Sequence, residues 1–498
     1  MARKPLILSA VTIHGIADRG KGVGRLPDGL VVFVDGAVPG DVVDVFVQKK
    51  KKEFAEGVVE RIVTPSPRRV EPFCEHFKIC GGCKWQYLAY EDQLMHKQQT
   101  VEDAMRRIAK VDIGEFLPIL GAPETTFYRN KLEFGFSNRR WLFAEEMPAS
   151  PPASPPGPLS KGEGEAIAIE GASPSPLERG PGGEAGLGFH KAGYFDKIID
   201  IHKCWLQADP SNAVRNAARE IAFAQGLEFY DLRRHTGFLR NLMLRLTTTG
   251  ELMVLVSFAQ HNQEAIDAYL GALLERFPKE ITTIVYCVNT KLNDSVFDQE
   301  MITWYGKGYA EEQLGELRFK IGPKSFFQTN SRQGKVLYDV AAEFAGLTGS
   351  ENVYDLYTGT GSIALYLAHL CRQVVGIEEI PEAIADAEEN RARNGIDNAI
   401  FYAGDVKNVL SPEFIQRHGR PDVVVTDPPR AGMHEKAVRF LLDLAAPRIV
   451  YVSCNPATQA RDLALLAEKY QVLKMRPVDM FPHTHHIENV ALLELETM

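Results

Sequence analysis

Apolar and polar positions alternate along the carboxy-terminal third of the chain with two periods in turn. Short apolar runs read as buried strands at 352–356, 373–378, 400–402, 422–426 and 447–452. Between them, apolar positions recur at helical spacing over 361–371, 381–394, 434–445 and 457–469, and a helix over 331–346 precedes the first strand. A final strand pair closes the series. Strand alternating with helix predicts a doubly wound, mainly parallel sheet, with reactive groups at the strand ends. The middle of the chain is less regular. It predicts a strand over 126–136, a helix over 210–225, paired strands at 239–245 and 252–259, a helix over 264–276 and a strand over 281–288, which is α+β patterning. The first 65 residues predict short, closely spaced strands at 30–34, 42–47 and 58–63, as in a small β-barrel. A helix is predicted over 91–109. The chain thus divides into a barrel (1–70), a central α+β unit (71–320) and an α/β unit (321–498).

One stretch fits neither period. Residues 147–186 are dense in Pro, Ala, Ser, Gly and Glu, cannot bury enough apolar surface to offset ordering entropy, and read as a disordered insertion. The rest has the composition of a globular protein, 45% apolar and 24% charged. No apolar run is long enough to span a bilayer and the amino terminus carries no secretory pattern, so the expectation is a cytoplasmic protein, with a monomer favoured. A net charge of −9 argues against a globally basic nucleic-acid binder, so any such surface is local. Residues 1–70 hold twelve Lys or Arg against eight Asp or Glu, four of the twelve in the run Lys49-Lys50-Lys51-Lys52. Such a run is a solvated loop or a phosphate contact.

The chemistry concentrates at strand ends. Asp355-Leu356-Tyr357-Thr358-Gly359-Thr360-Gly361-Ser362 is a glycine loop opening a helix, without the third glycine of the dinucleotide fingerprint. Glu378 closes the next strand, a position from which an acid binds ribose hydroxyls, and Asp405 closes the one after. Loop and acids together have the layout of S-adenosylmethionine methyltransferases. Thr426-Asp427-Pro428-Pro429-Arg430-Ala431-Gly432 ends a further strand and resembles the motif of methyltransferases that act on bases. Ser453-Cys454-Asn455-Pro456 ends the strand after that, placing a thiol at its tip. Carbon 5 of uracil is too weak a nucleophile to take a methyl group directly. A thiolate added at carbon 6 makes it an enolate, and a base must later remove the carbon-5 proton.

Seven cysteines without an export signal argue against a disulfide framework. Three stand in Cys74-Glu75-His76-Phe77-Lys78-Ile79-Cys80-Gly81-Gly82-Cys83, close enough for a metal or iron–sulfur site with Cys204 the best fourth ligand; zinc would also accept four thiolates. Cys287 and Cys371 read as core or half-buried residues.

Asp427-Pro-Pro-Arg-Ala-Gly, Ser453-Cys-Asn-Pro and Pro482-His483-Thr484-His485-His486-Ile487-Glu488 resemble the RNA uracil-5-methyltransferase family over nearly the whole chain outside 147–186. The resemblance implies a Rossmann-like methyltransferase domain, Cys454 as nucleophile and Glu488 as proton-abstracting base. It implies cofactor contacts from Gln328 (in Ser325-Phe326-Phe327-Gln328-Thr329-Asn330), Tyr357, Ser362, Glu378, Asp405 and Asp427, with Phe326 against a flipped uracil. The loop Tyr-Thr-Gly-Thr-Gly-Ser departs from commoner, Asn-containing forms, which bears on Ser362. The three histidines could suggest a metal site, but the family reading uses the adjoining Glu as a base. The cysteine stretch resembles the [4Fe–4S] site of the iron–sulfur-bearing members, and Gly20-Lys21-Gly22-Val23-Gly24 with Val38-Pro39-Gly40-Asp41 resembles a TRAM domain, an RNA-binding, OB-like barrel. The implied substrate is structured RNA, 23S ribosomal RNA before transfer RNA. The competing readings are a non-catalytic iron–sulfur RNA-binding protein and an exocyclic-amine methyltransferase.

Overall fold

A computed structural model describes residues 6–17, 20–142 and 185–496. The amino-terminal strands close a barrel in the order Ile7–Ile16, Gly22–Arg25, Val31–Asp35, Phe54–Thr64, Val42–Lys50. Alternate residues, among them Val11, Ile13, Val32, Val34, Val43 and Val45, fill its interior. The first strand is absent from the sequence pattern because its pairing with Val42–Lys50 slips between Leu8 and Val11, where Ala10 turns to a φ of 52°. That bulge breaks the two-residue period. The lysine run ends strand Val42–Lys50 and begins the turn to Phe54.

The central sheet has seven strands in the order Ile302–Tyr305, Ile281–Val288, Leu252–Phe258, Leu239–Leu246, Lys131–Ser137, Gly186–His190, Ile198–Asp200. Helices Ser211–Ala224 and Gln263–Arg276 bury their apolar residues, such as Val214, Ala218, Tyr269 and Leu273, in one core with it. Two boundaries move. The strand expected from 126 begins at Lys131, since residues 127 and 129 bond instead to the carbonyls of Trp205 and Leu206, each at 2.7 Å. Most of the segment 147–186 lies outside the described residues, but Gly186 opens a strand and pairs with Ser137.

The carboxy-terminal sheet has eight strands in the order Ala399–Ala403, Gln373–Glu378, Asn352–Leu356, Val423–Thr426, Arg448–Ser453, Glu488–Leu495, Tyr470–Val478, Ile113–Phe116. The first five run parallel, and Glu488–Leu495 is antiparallel to both its neighbours. Apolar cores lie on its two faces. Ile113–Phe116, from a part of the chain that the sequence pattern groups with the central unit, pairs in parallel with Tyr470–Val478. Helix Tyr90–Ala104 and the π-turn Met105–Ala109 go with it: Val101, Ala104, Met105 and Ala109 share a core with Leu463, Tyr470 and Met475. Among the described residues no helix is long and apolar enough to cross a membrane.

Candidate active site

Strand Asn352–Leu356 is buried throughout, and the chain leaves it through a left-handed turn: φ is 63° at Tyr357, 56° at Gly359 and 78° at Gly361. Gly361 is required twice over, because a Cβ there would stand 2.9 Å from the Phe401 ring and 3.0 Å from Ala387. A Cβ on Gly359 would meet nothing within 4 Å, so this lip of the loop faces open space. Glu378 reaches it from the next strand, its Oε2 accepting the Gly359 N–H at 3.1 Å and its Oε1 that of Ile380 at 3.0 Å. Ser362 begins the following helix, with Oγ 2.7 Å from the Tyr338 hydroxyl. Asp405 caps helix Val406–Val409 and pairs with Lys407 at 2.5 Å, a hydrogen bond that holds its carboxyl below the usual range.

Phe326 is 70% exposed, and its carbonyl accepts from Thr360 of the glycine loop at 3.3 Å. Gln328, two residues on, is buried, with its carbonyl bonded at 3.0 Å by the Asn130 amide. Of the six residues expected to hold the methyl donor, Tyr357 and Ser362 belong to the glycine loop, Glu378 bonds to it, Asp405 and Asp427 follow neighbouring strands, and Gln328 lies two residues beyond Phe326, whose carbonyl the loop bonds.

The thiol sits on the same rim. Ser453-Cys454-Asn455-Pro456 joins strand Arg448–Ser453 to helix Pro456–Leu466; Asn455 is the cap, accepting from the Ala457 N–H at 3.1 Å, and Pro456 takes the first helical turn. The Asn455 amide and Thr458 hydroxyl also bond the Arg430 carbonyl, at 2.9 and 3.2 Å. These bonds fasten the Asp427-Pro-Pro-Arg turn to the cysteine turn. The ladder between Arg448–Ser453 and Glu488–Leu495 ends at Ser453↔Asn489, so Cys454 and Glu488 leave it side by side.

The site is acidic, with Asp355 and Glu488 buried and Cys454 half-buried. Burial, then Glu488 and Asp427, push the Cys454 thiol up to about 11, while Arg430, through its charge and a hydrogen bond, pulls it down. Burial and Asp427 raise the Glu488 carboxyl, against Arg430 again. Burial and the neighbouring Asp355 raise Asp427, and burial pushes Asp355 up to about 7. Two acids crowd one thiol, and Arg430 is the cation that opposes them at Cys454 and Glu488. The Asp427-Pro-Pro-Arg spacing contains Arg430 but does not say that its side chain turns back to the thiol.

The loop before Glu488 is pinned from the amino-terminal side. The His483 carbonyl accepts the Lys84 and Trp85 N–H groups at 2.8 and 3.1 Å, and its Nδ1 lies 3.1 Å from the Gln93 amide. Burial lowers His483 to about 4 and His486 to about 3, and His486 Nδ1 stands 3.5 Å from Arg430. The barrel reaches the loop as well: Gly20 accepts from the Trp85 indole at 3.2 Å, and a Cβ there would lie 3.4 Å from His485.

Cys74, Cys80, Cys83 and Cys204 line one cavity of about 190 Å³ in the central unit. Burial pushes Cys80 and Cys83 up to about 12. The four are brought together, but among the described residues no three His, Cys, Asp or Glu converge as the ligands of one ion. Cys287 and Cys371 are buried elsewhere.

An open, mainly parallel sheet with a glycine loop after its first strand and acids closing the next two defines an S-adenosylmethionine methyltransferase fold. Known proteins agree. The tRNA (uracil-5-)-methyltransferase profile matches residues 244–496, and the TRAM domain profile residues 10–59. An RNA methyltransferase of Porphyromonas gingivalis is 51% identical over 97% of this chain and 99% of its own. One from Bacteroides thetaiotaomicron is 50% identical over 96% and 100%. The crystal structure of the tRNA (uracil-54, C5)-methyltransferase of Pyrococcus abyssi with S-adenosyl-L-homocysteine superposes with a TM-score of 0.70, at 27% identity, covering 98% of this chain and 100% of that one. The chain belongs to the RNA uracil-5-methyltransferase family and carries an amino-terminal TRAM domain.

Proposed function

We propose that this enzyme methylates carbon 5 of a uracil in structured RNA, 23S ribosomal RNA first, through a covalent bond from Cys454 to carbon 6. The observation that carries this is the end of one ladder, which sets thiol and carboxyl side by side on the rim of the cofactor loop. Gln328, Tyr357, Ser362, Glu378, Asp405 and Asp427 would hold the methyl donor, which supplies an electrophilic methyl group when bound. Phe326 stacks on the extruded base. Cys454 loses its proton to solvent water and adds to carbon 6 as the thiolate, the form that Arg430 favours. After methylation Glu488 takes the carbon-5 proton and Cys454 leaves, restoring the aromatic ring.

Cys74, Cys80, Cys83 and Cys204 are proposed to hold a [4Fe–4S] cluster. What supports this reading is the cavity of about 190 Å³ that the four cysteines line, with zinc on four thiolates the alternative. Iron and acid-labile sulfide in equal amounts support this; one zinc per chain refutes it. The barrel, with its lysine turn, would contact phosphates.

The test uses RNA carrying 5-fluorouridine and S-adenosylmethionine. The enzyme should form a complex that survives a denaturing gel, and the Cys454→Ala variant should form none. The second reading, transfer RNA as substrate, is favoured by the likeness to the Pyrococcus abyssi enzyme. Tritium release from carbon-5-labelled ribosomal and transfer RNA, assayed separately, decides between them.

A further inference from the structure

Three aromatic rings run outward from the loop that precedes Glu488. Phe73 meets His483 edge-on at 5.0 Å and Trp205 at 5.6 Å, and Trp205 lies 5.5 Å from Phe127, tilted by 35°. Phe73 and Phe127 are each 38% exposed, and the Lys203 ammonium stands 3.8 Å from the centre of the Trp205 ring. Phe127 is held outward at a φ of 55°, an unfavourable backbone for a bulky residue, by its N–H bond to the Trp205 carbonyl. Two exposed rings, one of them on a strained backbone, flank a half-buried Trp205 that carries a cation, and such a row is the make-up of a single-stranded nucleic-acid platform. The row is also tied to the cysteine cavity, since Phe73 directly precedes Cys74 and Trp205 directly follows Cys204.

We infer that Phe73, Trp205 and Phe127 form a stacking platform for an unpaired RNA base beside the target uracil, with Lys203 on the adjoining phosphate. This rests on the RNA reading above and extends it: the cysteine cavity acquires a task, which is to fix the two chain segments that carry Phe73 and Trp205. The platform begins at His483, five residues before Glu488, so a base on it belongs to a nucleotide close to the one that reaches Cys454.

The probe is fluorescein-labelled decauridylate, titrated by anisotropy against the full chain without methyl donor. Phe127→Leu and Trp205→Leu should each weaken binding by about 5- to 100-fold, with the thermal midpoint of Phe127→Leu unchanged. Lys203→Ala should lower the slope of log affinity against log salt by about 0.7, whereas Phe127→Leu leaves it alone. Phe195→Leu, at a ring 68% exposed and outside the row, is the control and should bind as wild type. The platform is refuted if decauridylate does not bind, if Phe127→Leu and Trp205→Leu bind as wild type, or if Phe195→Leu weakens binding equally. None of these results bears on the 5-fluorouridine adduct, so the platform and the catalytic reading fail separately.

Discussion

At the scale of residues, Cys454 is a thiol kept protonated by its surroundings. Burial and two acids raise it to about 11, and Arg430 opposes them. Alkylation of Cys454 by iodoacetamide, followed by mass spectrometry, should be slow at neutral pH and accelerate as pH rises towards 11. Arg430→Met should slow it and Glu488→Gln speed it; the reverse order would contradict the electrostatics. In turnover the same Glu488→Gln change should cost about 10²- to 10⁴-fold and make the RNA adduct accumulate, because the proposed base acts after the bond to carbon 6 has formed. His483 gives a stability test. Burial and the charge of Lys97 lower it from 6.5 to about 4, so the folded chain favours the neutral ring and unfolding takes up a proton. Its contribution is full above pH 6.5 and is lost as pH falls towards about 4; a His483→Gln variant should show a shallower decline of urea midpoint across that window. Cys454, Glu488 and the glycine loop were legible in the sequence because each lies in a short contiguous motif. The turn of Arg430 to the thiol and the bond from Asn130 to Gln328 were not, since both join residues through folding alone.

At the scale of elements, helix Tyr90–Ala104 is bolted to the loop before Glu488 through a fully buried ion pair. Lys97 Nζ lies 2.6 Å from Asp479 Oδ1 and 3.0 Å from the Phe481 carbonyl, and the Tyr90 hydroxyl donates to the other Asp479 oxygen at 3.0 Å. Removing one partner strands a charge in the interior, so Lys97→Met should cost about 3–5 kcal/mol in urea unfolding. Because Asp479 begins the turn that ends at Glu488, it should also lower turnover; a variant with intact stability would show that the pair is not what holds the loop. The strands of the α/β unit followed from the sequence nearly residue for residue, since buried parallel strands are unbroken apolar runs. Strand Ile113–Phe116 did not, for four residues without alternation become a strand only by pairing with Tyr470–Val478.

At the scale of the molecule, one loop, residues 479–488, receives bonds from Lys84, Trp85, Tyr90, Lys97 and Tyr128 and donates the His483 N–H to Gln93. The segment between the paired strands Lys131–Ser137 and Gly186–His190 joins residues already side by side, Ser137 and Gly186. Replacing residues 143–184 by a short Gly-Ser turn should therefore leave the melting temperature within about a degree, since closing a shorter loop costs little. A large loss would mean that the segment packs on the body.

The position of strand Glu488–Leu495 has a consequence for the making of the enzyme. Among the described residues it follows every other strand in sequence, yet it inserts between two made earlier, Arg448–Ser453 and Tyr470–Val478. During synthesis the cofactor loop and the thiol therefore emerge first, while their sheet still has a gap where its sixth strand belongs. A nascent or truncated chain that stops before this strand bears Cys454 but not the carboxyl beside it. The sheet is completed only when Glu488–Leu495 pairs with both neighbours, and that pairing is also what brings the Glu488 carboxyl beside Cys454.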